Sequence, residues 1–107
     1  MVIVRTIINV LPEKHKEVLQ TLLSLIEPPG KETGCLSYGI FNDIEDENVF
    51  NLISEWESNV HLDRYLKSER FSVLLGTKSL LCEPLTIDFL RVTGSDGIDT
   101  VNFVRKK

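Results

Sequence analysis

The sequence predicts an α+β domain of order βαββαβ, the ferredoxin-like arrangement, with an antiparallel four-stranded sheet. Three observations carry that expectation. Four segments are rich in β-branched and apolar residues; two intervening stretches carry apolar residues at helical spacing; and an acidic turn, "DIEDEN", joins the two middle strands as a hairpin.

Residues 2–11, "VIVRTIINVL", form the first predicted strand. Pro12 follows at a first-turn position, where a missing N–H costs the helix nothing. Val18, Leu19, Leu22, Leu23 and Ile26 then recur at helical spacing, with Lys14, Lys16, Glu17 and Gln20 largely on the other side. Pro28-Pro29-Gly30 ends this helix, because the residue before a proline avoids the α region. "GCLSYGIFNDI" (34–44) and "ENVFNLISEWE" (47–57) are the second and third strands. Ser58 is placed to cap a second helix carrying Val60, Leu62, Tyr65 and Leu66, and Ser68 to cap a further turn or two through Phe71, Leu74 and Leu75. "EPLTIDFLRVT" (83–93) is the last strand.

Two helices can cover only one face of such a sheet, yet both faces read as apolar. Val2, Val4, Ile8 and Val10 oppose Ile3, Ile7 and Leu11; Phe50, Leu52 and Trp56 oppose Val49 and Ile53; Leu85, Ile87 and Phe89 oppose Leu90 and Val92. An uncovered apolar face needs a partner, and the economical one is a second copy, packed sheet to sheet as a twofold homodimer. Polar residues interrupt these faces at Thr6, Asn9, Ser37, Asn51, Ser54, Thr86 and Asp88. Scattered polar groups in an apolar cavity describe a small-molecule site; singly, each is more readily a group bonded to backbone or water at a strand end.

Composition narrows the partners. The chain of 107 residues is the size of one domain, with 42% hydrophobic and 26% charged residues, as in soluble globular proteins. A net charge of −4 repels phosphate backbones, and the single basic cluster, "VRKK", is too short to outweigh it, so nucleic acid is not expected as a partner. No apolar run is long enough to span a bilayer, and "MVIVRTIINV" is interrupted by Arg5, so neither a membrane span nor a signal peptide is expected and the compartment is read as cytoplasmic. Cys35 and Cys82 have no metal-ligand spacing and read as small buried hydrophobes; with only His15 and His61 no metal site is expected.

The stretch from "LPEKHKEVLQ" through "GCLSYGIFNDIEDENVFNLISEWES", with "LDRYLKSERF" after it, resembles the antibiotic biosynthesis monooxygenase family, which includes quinol monooxygenases. The likeness rests on the proline-opened helix, the "GCLSY" strand, the acidic hairpin and the strand ending "EWES", and covers roughly residues 2–93. It implies a dimeric α/β barrel and a cofactor-independent monooxygenase acting on a small aromatic or quinol-like molecule with O2. Such chemistry asks the protein for a dry pocket, aromatic walls and a hydrogen-bonding group for the developing anion.

On that resemblance Trp56 matches a tryptophan that often lines the pocket, and Tyr65 stands where many relatives carry a histidine nine residues later. A phenol donates a hydrogen bond but is a poor base near neutral pH. Haem-degrading relatives carry an asparagine and a histidine where this chain has Thr6 and Leu75, so a haem role is not expected. His61 and His15 match no catalytic position and read as peripheral. Asn9 and Asp88, chosen for polarity alone, complete the candidate site as anion stabilisers. Two other readings stay open: a non-catalytic dimeric small-molecule-binding domain, and an isomerase of a small phosphorylated signal metabolite, which needs a cation such as Arg5 or Arg91.

The domain is taken as residues 1–107, with the core at about 2–93 and a C-terminal arm at 94–107. After "GSDG", the run "IDTVNFV" is apolar and β-branched, which predicts an ordered strand or extended arm, placed across the dimer partner.

Overall fold

A computed structural model of the chain describes residues 1–26 and 34–106. Its strands are β1 (Val2–Asn9), β2 (Cys35–Asn42), β3 (Val49–Trp56) and β4 (Thr86–Arg91), antiparallel in the order β2-β3-β1-β4. Its helices are α1 (His15–Ile26), α2 (Asn59–Leu66), α3 (Glu69–Leu75) and α4 (Ile98–Arg105). The first six elements of the predicted order are in place, with the second helical stretch divided into α2 and α3.

Local chemistry explains the boundaries. Pro12 opens a 3₁₀ turn, Pro12–Lys14, that runs into α1. Ser58 and Ser68 cap α2 and α3, their hydroxyls accepting from the amides of His61 and Phe71. The β2–β3 turn is held by Asp43, whose carboxylate accepts from the amides of Glu45 and Asp46 at 2.7 and 3.1 Å. Gly34, with φ +81°, lies directly against the His61 ring, so a Cβ there would collide with the imidazole. Its carbonyl accepts from the amide of Glu57 at 2.9 Å and fixes the chain just past Trp56.

The core lies between the sheet and its helices. Val2, Val4, Ile8, Phe50, Leu52 and Trp56 point from the sheet into it, and Val18, Leu22, Leu25, Leu62, Tyr65, Phe71 and Leu74 meet them from α1, α2 and α3. Each such side chain contributes on the order of 1.5–3 kcal/mol through burial. On the other face, Ile3, Ile7, Val49 and Ile53 are half-buried, while Phe41 and Leu90 are exposed. In the single chain that face is open.

Several expectations change. The apolar face of α1 uses Leu25, whereas Leu23 and Ile26 are exposed, a small rotation of the predicted stripe. Val60 and Leu75 are exposed as well. Cys82 is exposed rather than buried, its thiol donating to the carbonyl of Val10 at 3.2 Å, and Cys35 is half-buried. The proline-glycine stop after α1 lies outside the described residues. The largest correction concerns the tail: Ile98–Arg105 is a helix, not a strand or extended arm, and none of its residues is buried. β-Branched residues favour strands mainly where they meet cross-strand neighbours, and this segment does not pair with the free edge of β4 but closes its hydrogen bonds within a helix.

Candidate functional site

Where β3 ends and α2 crosses it, the sequence places several aromatic rings on the covered face. Trp56 closes β3 with 0% of its surface exposed. Its indole N–H donates to the hydroxyl of Ser54 at 2.9 Å, two residues earlier on the same face, which satisfies the one polar group of the ring. Tyr65, on the inner side of α2, stacks on the indole with ring centres 4.7 Å apart and planes inclined by 27°. Phe71 meets Tyr65 edge-on at 5.4 Å.

Tyr38, from β2, completes the group. Its hydroxyl shares a hydrogen bond with that of Tyr65 at 3.3 Å, and the rings meet edge to face at 6.2 Å. The Arg70 guanidinium lies 5.0 Å from the centre of the Tyr38 ring and also donates to the carbonyl of Leu25, tying α3 to the end of α1. Burial raises the pKa of Tyr38, against the smaller opposing effects of the Tyr65 hydrogen bond and of Arg70. Burial also raises that of Tyr65 well beyond the ordinary phenol range, and the neighbouring Tyr38 adds to the rise. Both phenols are therefore neutral hydrogen-bond donors and acceptors, not bases, at physiological pH.

The four residues singled out in the sequence fall on opposite sides of the sheet. Trp56 and Tyr65 are in van der Waals contact inside the covered layer. Asn9 and Asp88 belong to the open face, since they pair in register with Val49 and with Arg5. Asp88 accepts a 2.9 Å ion-pair hydrogen bond from Arg5, a pair of exposed side chains. Arg5, one of the cations that an isomerase would need, is thereby engaged. Asn9 lines a shallow groove of about 300 Å³ that it shares with Pro12, Asp46, Asn48, Cys82 and Glu83, so its surroundings are acidic.

His61 sits at the α2 cap with Nδ1 2.8 Å from the hydroxyl of Ser58, and His15 lies 3.2 Å from the side-chain oxygen of Asn48 with its ring over Phe50 at 5.5 Å. Both are peripheral, as expected. Tyr38 and Arg70 were missed. Tyr38 was legible as the last residue of "GCLSY", three residues past the start of β2 and on the parity of Ile40; Arg70 carried no signal, because its place depends on how α3 packs. Among the described residues, no cluster of three or more His, Cys, Asp or Glu residues is arranged to hold a metal ion.

Known proteins with this arrangement place the chain. A model of the antibiotic biosynthesis monooxygenase family matches residues 1–74. YcnE of Bacillus subtilis (strain 168) is 27% identical over 88 residues, 81% of this chain and 93% of that protein. The uncharacterized protein sll1783 of Synechocystis is 28% identical over 86 residues, 79% of this chain, which spans only 58% of that protein. Among solved structures, an antibiotic biosynthesis monooxygenase superposes with a TM-score of 0.79 at 25% identity, covering 88% of this chain and all (100%) of the other. A protein from Methanosarcina mazei Go1 does so with a TM-score of 0.77 at 28% identity, covering 84% of this chain and 90% of its own. With its ferredoxin-like fold and a family match that runs from β1 into α3, the chain belongs to the antibiotic biosynthesis monooxygenase family.

Proposed function

We propose that the protein is a cytoplasmic, cofactor-independent monooxygenase of a small aromatic or quinol substrate, using O2 and neither flavin nor metal. The observation that carries this reading is the pair of neutral phenols, Tyr65 and Tyr38, bonded to each other beside the Trp56 indole in a water-poor layer. An electron-rich phenol or enol that has lost its proton can itself reduce O2. One oxygen atom then enters the ring or methylene carbon, the other leaves as water, and the substrate supplies both electrons.

In this reading the planar substrate approaches the aromatic group at Tyr38, its half-buried member, and the Tyr38 hydroxyl, oriented by Tyr65 and backed by the buried Trp56, donates to the oxygen on which negative charge develops. Arg70 adds positive charge at the rim of the same group. Tyr65 is not the base, because burial keeps it protonated. A quinol with a low enough pKa can arrive already ionised. Asn9 and Asp88, on the other face, belong to the surface at which we place a homodimer, with open sheets packed together and on the order of 1,000 Å² buried per partner.

The test is oxygen uptake by metal-free protein across a panel of hydroquinones and anthrones. Uptake with incorporation of one labelled oxygen supports the reading, with Trp56→Phe lowering kcat about tenfold or more while leaving the fold intact. Uptake no faster than buffer across the panel overturns it. Unchanged kinetics in Trp56→Phe with a lowered unfolding midpoint returns that residue to the core alone.

A further inference from the structure

Helix α4 lies beyond the residues matched by the family, and nothing in the catalytic reading uses it. At roughly 100° per residue, three of its four apolar residues, Ile98, Val101 and Val104, fall within about a third of the helix circumference with Arg105 inside the same stripe, while Phe103 lies on the other side. Ile98 is 68% exposed and Val104 59%. Gly97, at the N-cap, provides no side-chain hydrogen bond. An eight-residue helix of this kind is marginal in water by itself and gains most of its stability by packing.

A second surface has the complementary chemistry. The β2–β3 hairpin carries Ile44 at its tip, 100% exposed, with Phe41 exposed on the open face behind it. Around them stand Asp43, Glu45, Asp46 and Glu47. Asp43 and Asp46 spend their carboxylates on turn amides. Among the described residues, neither Glu45 and Glu47 nor Arg105 and Lys106 form an ion pair. The C-terminal end of α4 is apolar and basic, with Asp99 in the first turn at its other end, and the hairpin is apolar and acidic.

The topology keeps them apart within one chain. The hairpin adjoins the Asn9 end of β1, where the amide of Val10 donates to the carbonyl of Asn48. β4 leaves the sheet at the Met1 end, where the amide of Val92 donates to the carbonyl of Met1. β2 and β4 are also opposite edges. The two surfaces therefore start from diagonal corners of the sheet, with about 24 Å of strand between its ends. A twofold axis along the other diagonal, with the two open faces crossed, exchanges those corners and brings each α4 to the partner's hairpin.

We propose that α4 of one copy docks on the β2–β3 hairpin of a second copy, with Ile98, Val101 and Val104 against Ile44 and Phe41, and Arg105 and Lys106 against Glu45 and Glu47. The proposal rests on the homodimer placed at the open face. α4 is then a clasp that this chain adds to the sheet-to-sheet interface.

A charge swap tests it. Arg105→Glu/Lys106→Glu and Glu45→Lys/Glu47→Lys are made separately in the full chain, and dimer dissociation is measured by sedimentation at low salt. Each variant alone is expected to raise the dimer Kd about tenfold, and their equimolar mixture to return it to the wild-type value, since both contacts of the mixed dimer again pair opposite charges. Deletion of residues 95–107 is expected to weaken the dimer at least as much. A wild-type chain that is monomeric at micromolar concentration overturns the homodimer and the clasp together. A dimer whose Kd is unmoved by either swap, or whose swaps are not rescued by mixing, overturns the clasp alone. Binding of α4 to vesicles of anionic lipid, abolished by Arg105→Glu/Lys106→Glu while the dimer Kd stays constant, assigns the helix to a membrane surface instead.

Discussion

On the covered face of the sheet Val4, Ile8, Phe50 and Leu52 are buried, while on the open face Ile3, Ile7, Val49 and Ile53, residues of the same kind on the same two strands, remain half-buried. The polar groups differ in the same way. On the covered face the Ser54 hydroxyl serves the Trp56 indole and the Tyr38 and Tyr65 hydroxyls serve each other. On the open face Arg5 pairs with Asp88, and Ser37 donates to Glu55, among exposed side chains. A hydrogen bond in the first setting has no water to replace it; one in the second does. The two faces are therefore expected to respond to substitution in different ways, the covered one through folding and the open one through the association proposed above.

The largest separation is expected from apolar substitutions. Phe50→Ala, on the covered face, is expected to lose about 3–5 kcal/mol of folding stability, measured by denaturant titration, because a buried ring leaves a cavity. Ile53→Asp, three residues along β3 on the open face, is expected to leave the secondary structure intact and to dissociate the dimer at micromolar concentration in sedimentation. If Ile53→Asp instead unfolds the chain, the open face is part of the folding core and the contrast fails.

A smaller effect is expected from Tyr65→Phe, which strands the Tyr38 hydroxyl at a cost of about 1–3 kcal/mol. Its pH dependence sharpens the comparison. Tyrosines in the unfolded chain ionise near 10.0, whereas burial holds Tyr65 and Tyr38 protonated above that value. Above about pH 10 the folded state thus keeps protons that the unfolded state loses, so the phenols' contribution is fully present below pH 10 and is lost as pH rises. The wild-type chain is expected to lose stability more steeply than Tyr65→Phe between pH 9.5 and 11, in denaturant titrations at fixed salt, by about the share of one phenol. Equal slopes would place Tyr65 in contact with solvent. The smallest effect belongs to the open face: Asp88→Asn is expected to change monomer stability by about 0.2–1 kcal/mol, and less in high salt, because the Arg5 pair is exposed.

Much of the fold was legible in the chain itself. Runs of β-branched and apolar residues located the four strands to within a few residues, Pro12, Ser58 and Ser68 marked helix starts, and the carboxylates of "DIEDEN" announced the hairpin, because these are local signals set by backbone chemistry. Trp56 and Tyr65 were both singled out through family likeness, and the structure stacks them on the covered side of the sheet.

Tertiary structure alone decided the rest. Asn9 and Asp88 could not be separated from Trp56 by polarity, since a strand's two faces are distinguished only by what packs on them. Arg70 reaches Tyr38 only because α3 is turned against β2 and the end of α1, a relation with no sequence period. The tail was read as extended because "IDTVNFV" is rich in β-branched residues, but such residues favour a strand only once they pair, and this segment forms a helix although β4 beside it in sequence is an edge strand. Residue type sets what a segment can become, and long-range packing selects among those forms, because burial free energy depends on neighbours that the local sequence does not contain.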